Sequence, residues 1–222
     1  MFGNPSTEPL SESRRPSPVP AGGWQRAREY FGFTWAFLRH PSQVGALCPS
    51  SPWLAEAMVD SADLGNARTV LELGPGTGAF TRTILARKGR HTKYLGIELS
   101  PDAVRLLRSK FPGLDIHEGS ATCLGQFLAQ RGWRHADFIV SGLPFANMPS
   151  VVQRQILEAV VAALAPQGRF TTFAYVGPHL TKRGRSFQRL LRELFGSVET
   201  SRPVLRNLPP AFVYRCSLGE KS

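Results

Sequence analysis

The sequence predicts an α/β fold built on a mostly parallel, seven-stranded sheet with helices on both faces. From residue 69 onward, short apolar runs typical of buried strands alternate with patterns typical of helices. The first such run ends in three alternating glycines, and a helical pattern starts directly after them. A strand, a glycine turn and a helix N-terminus together form a nucleotide-type pocket. The predicted architecture is therefore Rossmann-like, with an antiparallel strand at its C-terminal end.

The predicted strands cover residues 69–73, 93–97, 114–117, 136–140, 168–176, 198–203 and 211–218. Helices are predicted to begin near Ala79, Asp102, Cys123 and Ser186. Ser51 followed by Pro52 predicts an N-cap and a first helical residue for an earlier helix that ends near residue 60. Ser150 and Gln153 have the spacing of a capping box, which predicts a helix from there to about residue 164, ended by Gly168.

Composition indicates one globular domain with an additional arm. The chain has 222 residues, of which 42% are hydrophobic and 19% are charged. Its formal net charge of +11 favours a polyanionic partner: nucleic acid, an anionic membrane surface or an acidic substrate. The three cysteines lie far apart, without metal-ligand spacing, and we expect reduced thiols and no metal. No apolar run is long enough to span a bilayer, and the first residues do not resemble a secretory signal.

The N-terminal third divides into segments of different composition. Residues 1–22 are rich in proline, serine and charge, which predicts a disordered arm. Residues 23–62 are expected to form a helical segment that faces the membrane or the substrate. Within it, residues 24–39 hold six aromatic side chains with arginines between them, which predicts an amphipathic helix. That helix either lies at a membrane interface or packs on the domain at residues 63–222.

Two carboxylates flank the glycine turn, which residues 70–78 form with the sequence VLELGPGTG. Glu72 precedes the first glycine by two residues. Glu98 closes the second predicted strand about 20 residues after the turn, where a ribose-binding acid is expected. The alternative, that Glu98 is a helix N-terminal charge, does not account for this spacing. The predicted cofactor-binding residues are therefore Glu72, Gly74, Gly76, Gly78 and Glu98.

Residues 72–78, ELGPGTG, together with Glu98 resemble the cofactor motif of class I S-adenosylmethionine-dependent methyltransferases. The resemblance implies S-adenosyl-L-methionine as the cofactor. It also implies cofactor contacts from Leu99, Ser120 and Ala121. Ser120 occupies the position at which such enzymes often carry an acid that contacts the adenine amine.

Residues 141–145, SGLPF, follow the fourth predicted strand and resemble the motif of methyltransferases that act on amino nitrogens, with one of its two prolines. The predicted catalytic residues are Ser141, Gly142, Leu143, Pro144 and Phe145. The Ser141 hydroxyl and the carbonyls of Gly142 and Leu143 would accept hydrogens from the amine, and the Phe145 ring would face the developing positive charge. The alternative is a loop that is merely stiffened by proline.

Residues 44–51, 141–144 and 207–214 resemble bacterial phospholipid N-methyltransferases, which convert phosphatidylethanolamine towards phosphatidylcholine. The resemblance covers about residues 24–218. It implies a monomeric, cytoplasmic enzyme that binds peripherally to an anionic inner membrane surface. Lys182, Arg183 and Arg185 follow the fifth predicted strand and are the predicted substrate-binding residues, unless this basic run is only a solvated face.

Ribosomal RNA adenine dimethylases are similar in architecture and in basic charge. They leave open a methyltransferase that acts on RNA adenine or on another amine. A third hypothesis is a non-catalytic, cofactor-binding protein with a basic surface for membrane or RNA. The glycine turn, Glu98 and residues 141–145 together favour an enzyme.

Overall fold

The structure is a computed structural model that describes residues 50–60 and 63–219. The predicted arm at residues 1–22 and the aromatic segment at residues 24–39 lie outside the described residues. The division of the chain at residues 22 and 62 therefore stays a prediction. Cys123 and Cys216 are both free thiols.

Seven strands form one sheet. They are β1 (Thr69–Leu73), β2 (Lys93–Glu98), β3 (Ile116–Glu118), β4 (Ala136–Ser141), β5 (Leu164–Tyr175), β6 (Ser197–Thr200) and β7 (Ala211–Ser217). The strand order is β3-β2-β1-β4-β5-β7-β6. Strands β1 to β5 pair in parallel, and β7 runs antiparallel to both β5 and β6. The predicted α/β fold with a mostly parallel sheet and an antiparallel C-terminal strand is confirmed.

The described helices cover both faces of the sheet. They are α1 (Pro52–Val59), α2 (Ala79–Arg87), α3 (Pro101–Lys110), α4 (Leu124–Ala129), α5 (Ser150–Ala163) and α6 (Lys182–Leu194). One buried cluster joins α1, α2 and α3 to the sheet, and the other joins α4, α5 and α6 to it. Neighbouring β1 residues Val70 and Leu71 point into different clusters, because side chains alternate along a strand.

Helix α1 begins as predicted. The Ser51 hydroxyl accepts a hydrogen bond from the backbone N–H of Leu54 at 3.2 Å, and Pro52 occupies the first helical position. Leu54 and Met58 are fully buried. The carbonyl of Met58 also accepts a hydrogen bond from the Thr171 hydroxyl at 2.9 Å, which fixes α1 on β5.

The predicted capping box at the start of α5 is wrong. Pro149 is the N-cap residue, Ser150 lies inside the helix, and no side chain caps the first turn of α5. The helix ends at Ala163, and β5 begins at the next residue because its pairing with β4 starts four residues before Gly168. Gly168 therefore lies within the strand.

Helix α6 begins four residues before its predicted start. The Thr181 hydroxyl caps it by accepting a hydrogen bond from the backbone N–H of Gly184 at 3.2 Å. The basic residues Lys182, Arg183 and Arg185 therefore lie in the first turn of this helix. Its inner face buries Phe187, Leu190 and Leu191. Strand β6 is shorter than predicted, and a single bridge joins Val204 to Ala211 beyond its end.

Candidate active site

The turn between β1 and α2 depends on backbone angles that glycine adopts readily. Gly74, Gly76 and Gly78 have φ values of 65°, 57° and 85°, all in the left-handed region where a side chain is strained. Gly78 is also the N-cap residue of α2 and offers no side chain to the first N–H groups of the helix. These donors are therefore directed at the turn, where a polar ligand can accept from them.

Glu98 is joined to this turn through its carboxylate. One oxygen accepts from the backbone N–H of Gly76 at 3.0 Å, and the other accepts from the backbone N–H of Ser100 at 2.9 Å. Burial raises the pKa of the Glu98 carboxyl, and these N–H donors oppose that shift. Each oxygen retains a second lone pair, so the side chain can also accept from ribose hydroxyls. The structure brings Glu98 to the turn, and its contact with a ribose stays a prediction.

Glu72 lies beneath the turn and is fully buried. Its Oε2 accepts hydrogen bonds from the Thr81 hydroxyl at 2.7 Å and from the Tyr94 hydroxyl at 2.6 Å. Among the described residues, its Oε1 has no hydrogen-bond partner. Burial raises the pKa of the Glu72 carboxyl to about 7, although both hydroxyl donors lower it. Glu72 therefore ties β1 to α2 and β2, and it leaves one oxygen open to a further donor.

The remaining predicted cofactor residues lie at the same edge of the sheet. Leu99 follows β2 and is half-buried, while Ser120 and Ala121 follow β3 and are buried. The Ser120 hydroxyl accepts from the backbone N–H of Thr122 at 3.3 Å, so it caps a short helical turn. The N–H of Gly119 donates to the carbonyl of Glu98 at 2.9 Å, which holds the two segments together.

The loop at residues 141–145 packs directly against the glycine turn. The backbone N–H of Gly142 donates to the carbonyl of Leu73 at 2.8 Å. A Cβ atom added at Gly142 would lie 2.8 Å from the carbonyl oxygen of Gly74, closer than real Cβ contacts allow. Ser141 is fully buried, and its hydroxyl accepts from the backbone N–H of Leu143 at 3.3 Å. Two loops that are about 70 residues apart in sequence thus form one edge.

Phe145 is turned into the protein core. Its side chain is 1% exposed and stacks on Phe187 of α6, with ring centroids 4.8 Å apart and planes inclined by 19°. It also borders an apolar cavity of about 90 Å³ that Pro144, Phe173, Tyr175 and Tyr214 help to line. The expected exposure of the ring to substrate is not seen, because α6 supplies an aromatic partner from far along the chain. A role of the ring in methyl transfer stays a prediction.

Gln153 is a functional candidate that the sequence did not reveal. Its side chain is buried, and its amide group donates to the carbonyl of Phe145 at 2.7 Å and to the carbonyl of Met148 at 3.1 Å. It therefore fixes the backbone that follows the predicted catalytic residues. The only signal in the sequence was its position near the start of a helix, which suggested a cap.

The predicted substrate-binding residues lie beside the loop at residues 141–148. Lys182, Arg183 and Arg185 are exposed on the first turn of α6. Arg183 lines a polar groove of about 410 Å³ together with Asn147 and Gln153. The guanidinium of Arg185 donates to the carbonyl of Leu180. The structure places this cluster next to residues 141–148, and phosphate binding by it stays a prediction.

Asn207 joins two of the segments on which the resemblance to lipid methyltransferases rests. It is buried, and its side-chain oxygen accepts from the backbone N–H of Ser51 at 2.9 Å. Its side-chain nitrogen donates to the carbonyl of Pro209 at 2.7 Å. The chain before β7 is thereby fixed to the start of α1.

The described part of the chain, residues 50–60 and 63–219, holds no group of three or more His, Cys, Asp or Glu side chains that could bind a metal ion. It also contains no helix of the length and apolar character needed to cross a bilayer.

Comparisons with known proteins show four relevant similarities. The methyltransferase domain family matches residues 71–170. An ornithine lipid N-methyltransferase of Singulisphaera acidiphila is 38% identical over 193 residues, which are 85% of this chain and 96% of that protein. A ribosomal RNA small subunit methyltransferase A of Synechococcus sp. is 36% identical over 114 residues, 49% of this chain and 38% of that protein. The structure of human methyltransferase-like protein 13 in complex with S-adenosylhomocysteine matches with a TM-score of 0.55 and 17% identity. The match covers 77% of this chain and 81% of that chain.

Together the fold, the glycine turn with Glu98 and these matches define a class I S-adenosylmethionine-dependent methyltransferase. The predicted enzyme class and its cofactor are thereby confirmed. Within that class, the chain belongs to the family of the Singulisphaera ornithine lipid N-methyltransferase, because the similarity extends over nearly the whole of both chains.

The described residues fit S-adenosylmethionine. The left-handed glycines bring the backbone and the first N–H groups of α2 to the turn, Glu98 adds an acceptor there, and the buried Oε1 of Glu72 beneath it has no partner among the described residues. When bound, the cofactor supplies a methyl group on a positively charged sulfonium.

Proposed function

We propose that this methyltransferase transfers methyl groups to the amino headgroup of a membrane lipid. The observation that carries the proposal is the 38% identity, over nearly the whole chain, to a protein named for the N-methylation of ornithine lipid. The proposed substrate is phosphatidylethanolamine, converted towards phosphatidylcholine. Ornithine lipid is the alternative aminolipid.

The loop at residues 141–145 supports attack by an amine. A lipid amine has a pKa of roughly 10, as lysine has, and must lose a proton before its lone pair can form a bond to carbon. Desolvation at the buried edge of the sheet lowers that value. Backbone carbonyls at Gly142 and Leu143 would accept the remaining amine hydrogens and orient the lone pair towards the glycine turn, which this loop contacts.

The proposed place of action is the inner surface of the cytoplasmic membrane, where the enzyme would bind peripherally and as a monomer. The support is the net charge of +11 and the exposed Lys182, Arg183 and Arg185 beside the loop. Each basic residue near an anionic leaflet contributes about 1 kcal/mol, so three would contribute roughly 3 kcal/mol. High salt should weaken this attraction by screening it.

The test is incubation of the full chain with S-adenosylmethionine labelled on its methyl group and one acceptor at a time. The acceptors are vesicles in which phosphatidylethanolamine or ornithine lipid is the sole amine, and ribosomal RNA. Label in either lipid supports the proposal and identifies the headgroup. Label in RNA alone would overturn it in favour of an RNA methyltransferase, the activity for which the Synechococcus relative is named.

A further inference from the structure

Exposed apolar side chains gather on one surface of the folded core. Among the described residues, six large hydrophobic side chains are substantially exposed, and five of them lie on three neighbouring segments. The five are Trp53, Val176, Leu180, Leu205 and Leu208, and they are called the leucine surface below. Leu205 and Leu208 are 76% and 71% exposed, and exposed apolar side chains that are grouped rather than scattered indicate an interaction surface.

The three segments are bonded to one another. The side chain of Asn207, which lies between the two leucines, accepts from the backbone N–H of Ser51 at the start of α1. The N–H of Val176 donates to the carbonyl of Pro210 at 2.8 Å. The guanidinium of Arg206 lies 5.3 Å from the centre of the Trp53 ring. The three segments that carry the exposed side chains are thus adjacent in the fold.

The backbone beneath Leu205 and Leu208 is fixed. Asn207 is 2% exposed, and its N–H donates to the carbonyl of Val204 at 3.2 Å. Val204 in turn pairs with Ala211 at the start of β7. Because the buried residue lies between them, the two leucines are held outward by the scaffold.

Two of the three segments of the leucine surface are basic, and the third, residues 50–60, carries Glu56 and Asp60. Residues 176–185 and 201–210 contain five basic residues and neither aspartate nor glutamate. The five are Lys182, Arg183, Arg185, Arg202 and Arg206, all exposed. Apolar tips beside exposed cations suit an anionic bilayer, where the tips enter the headgroup boundary and the cations meet phosphates. RNA would leave the exposed leucines without a partner.

The surface also lies at the active-site edge. Residues 201–210 lead into β7, whose first residue, Ala211, pairs with Tyr175 at the carboxyl end of β5. The loop at residues 141–145 follows the carboxyl end of the neighbouring strand β4. A membrane in contact with Leu205 and Leu208 would therefore face the edge at which methyl transfer is expected.

We propose that the leucine surface is a docking surface for an anionic membrane and inserts Leu205 and Leu208 into the headgroup boundary. The proposal rests on the proposed function, because docking here would bring aminolipids to the active-site edge. It assigns membrane contact to the folded core, in addition to any contact made by residues 24–39.

The test uses full-length protein and vesicles of phosphatidylcholine and phosphatidylglycerol, which contain no primary amine. The Leu205→Ser/Leu208→Ser variant removes two apolar tips, so we expect partitioning to fall by about 30-fold or more in a flotation assay. The matched control is Val151→Ser, which removes a 61% exposed apolar side chain from α5 outside the surface. We expect the control to bind vesicles as the wild type does.

A second pair of variants tests the charge. Arg206→Gln and Arg68→Gln remove the same charge, but Arg68 precedes β1 at the opposite edge of the sheet, with its side chain 89% exposed. We expect about a fivefold loss of partitioning for Arg206→Gln, since one basic residue near the surface contributes about 1 kcal/mol. Arg68→Gln should have a much smaller effect.

Vesicle binding at the wild-type level in the double leucine variant would overturn the proposal, since residues before 50 or the basic turn of α6 would then carry the attachment. A monomeric short-chain aminolipid needs no membrane, and the double variant should methylate it as the wild type does. Loss of that activity as well would show that the leucines are needed for folding or for the active site, and it would also overturn the proposal. Methylation of RNA alone by the wild-type protein would contradict the proposed function. The flotation assay would still test whether the leucine surface binds membranes.

Discussion

The glycine turn and the loop at residues 141–148 lie against each other, yet they are held in different ways. The turn depends on the backbone angles of its own glycines and on Glu98, which ends the next strand. The loop depends on Gln153 and Phe187, from two helices that follow it. The first is a local structure, and the second is a product of tertiary packing. A motif of the first kind is readable in a sequence, whereas the side-chain roles in the second are not.

The largest expected effect is on the packed loop. Phe145→Ala should lower the free energy of unfolding by about 3–5 kcal/mol, because it opens a cavity against Phe187. Phe145→Leu keeps most of the volume and should retain most of the stability and turnover. Urea unfolding and steady-state kinetics provide the measurements. A stable Phe145→Ala protein that binds cofactor but does not turn over would instead place the ring at the substrate.

The free energy of unfolding should depend on pH through Glu72, which lies beneath the glycine turn. The pKa of Glu72 is raised from an ordinary value near 4.5 to about 7 in the folded protein. Between these values the folded protein holds a proton that the unfolded chain has lost, so the free energy of unfolding falls as pH rises through this window. The expected fall is roughly 3 kcal/mol. Glu72→Gln should remove this contribution, and urea unfolding across the window in both proteins measures it. Identical pH slopes would contradict the assignment.

A substitution within the turn should act mainly on the cofactor. Gly76→Val places a branched side chain at a φ of 57°, in the turn where the ligand approaches. We expect at least about a 100-fold loss of affinity for S-adenosylhomocysteine by calorimetry. Gly113→Val is the matched control, since Gly113 has a φ of 79°, open space around it and no place in the site. Equal effects of the two substitutions on affinity would attribute the loss to backbone strain alone.

The smallest expected effect concerns the ribose contact. Glu98→Ala should weaken binding of S-adenosylhomocysteine by about 10- to 150-fold, which corresponds to charge-assisted hydrogen bonds worth about 1.5–3 kcal/mol. Because Glu98 also holds the N–H of Gly76, Glu98→Gln is a useful second variant that retains one acceptor. Unchanged affinity in a folded Glu98→Ala protein would show that Glu98 does not bind the ribose.

The sequence predicted those parts of the molecule that local chemistry determines. The strand, glycine turn and helix at residues 69–87 occur as expected, and so does the Ser51 cap of α1. Glu98 lies at the turn because parallel strands end at one edge. By contrast, Gln153 had the spacing of a capping residue, but Pro149 takes the cap and the amide serves a neighbouring loop.

The contacts between distant segments could not be predicted from the sequence. Nothing near Asn207 in the sequence indicates that it bonds to Ser51, which is 156 residues away. The stacking of Phe145 on Phe187 likewise depends on where α6 crosses the sheet. The early start of α6 depends on its cap Thr181, which directly precedes the basic residues. Such partners become visible only once the chain has folded.

The central claim is that the glycine turn and the loop at residues 141–145 act as one site, and Gly142→Ala tests it most directly. The added Cβ would meet the carbonyl of Gly74 at 2.8 Å, so the two backbones must move apart. The measurement is calorimetric affinity for S-adenosylhomocysteine together with turnover on the preferred acceptor. Gly125→Ala, with open space around it, is the control. We predict that affinity and turnover both fall in Gly142→Ala and not in the control. Wild-type affinity and turnover in a folded Gly142→Ala protein would contradict the claim.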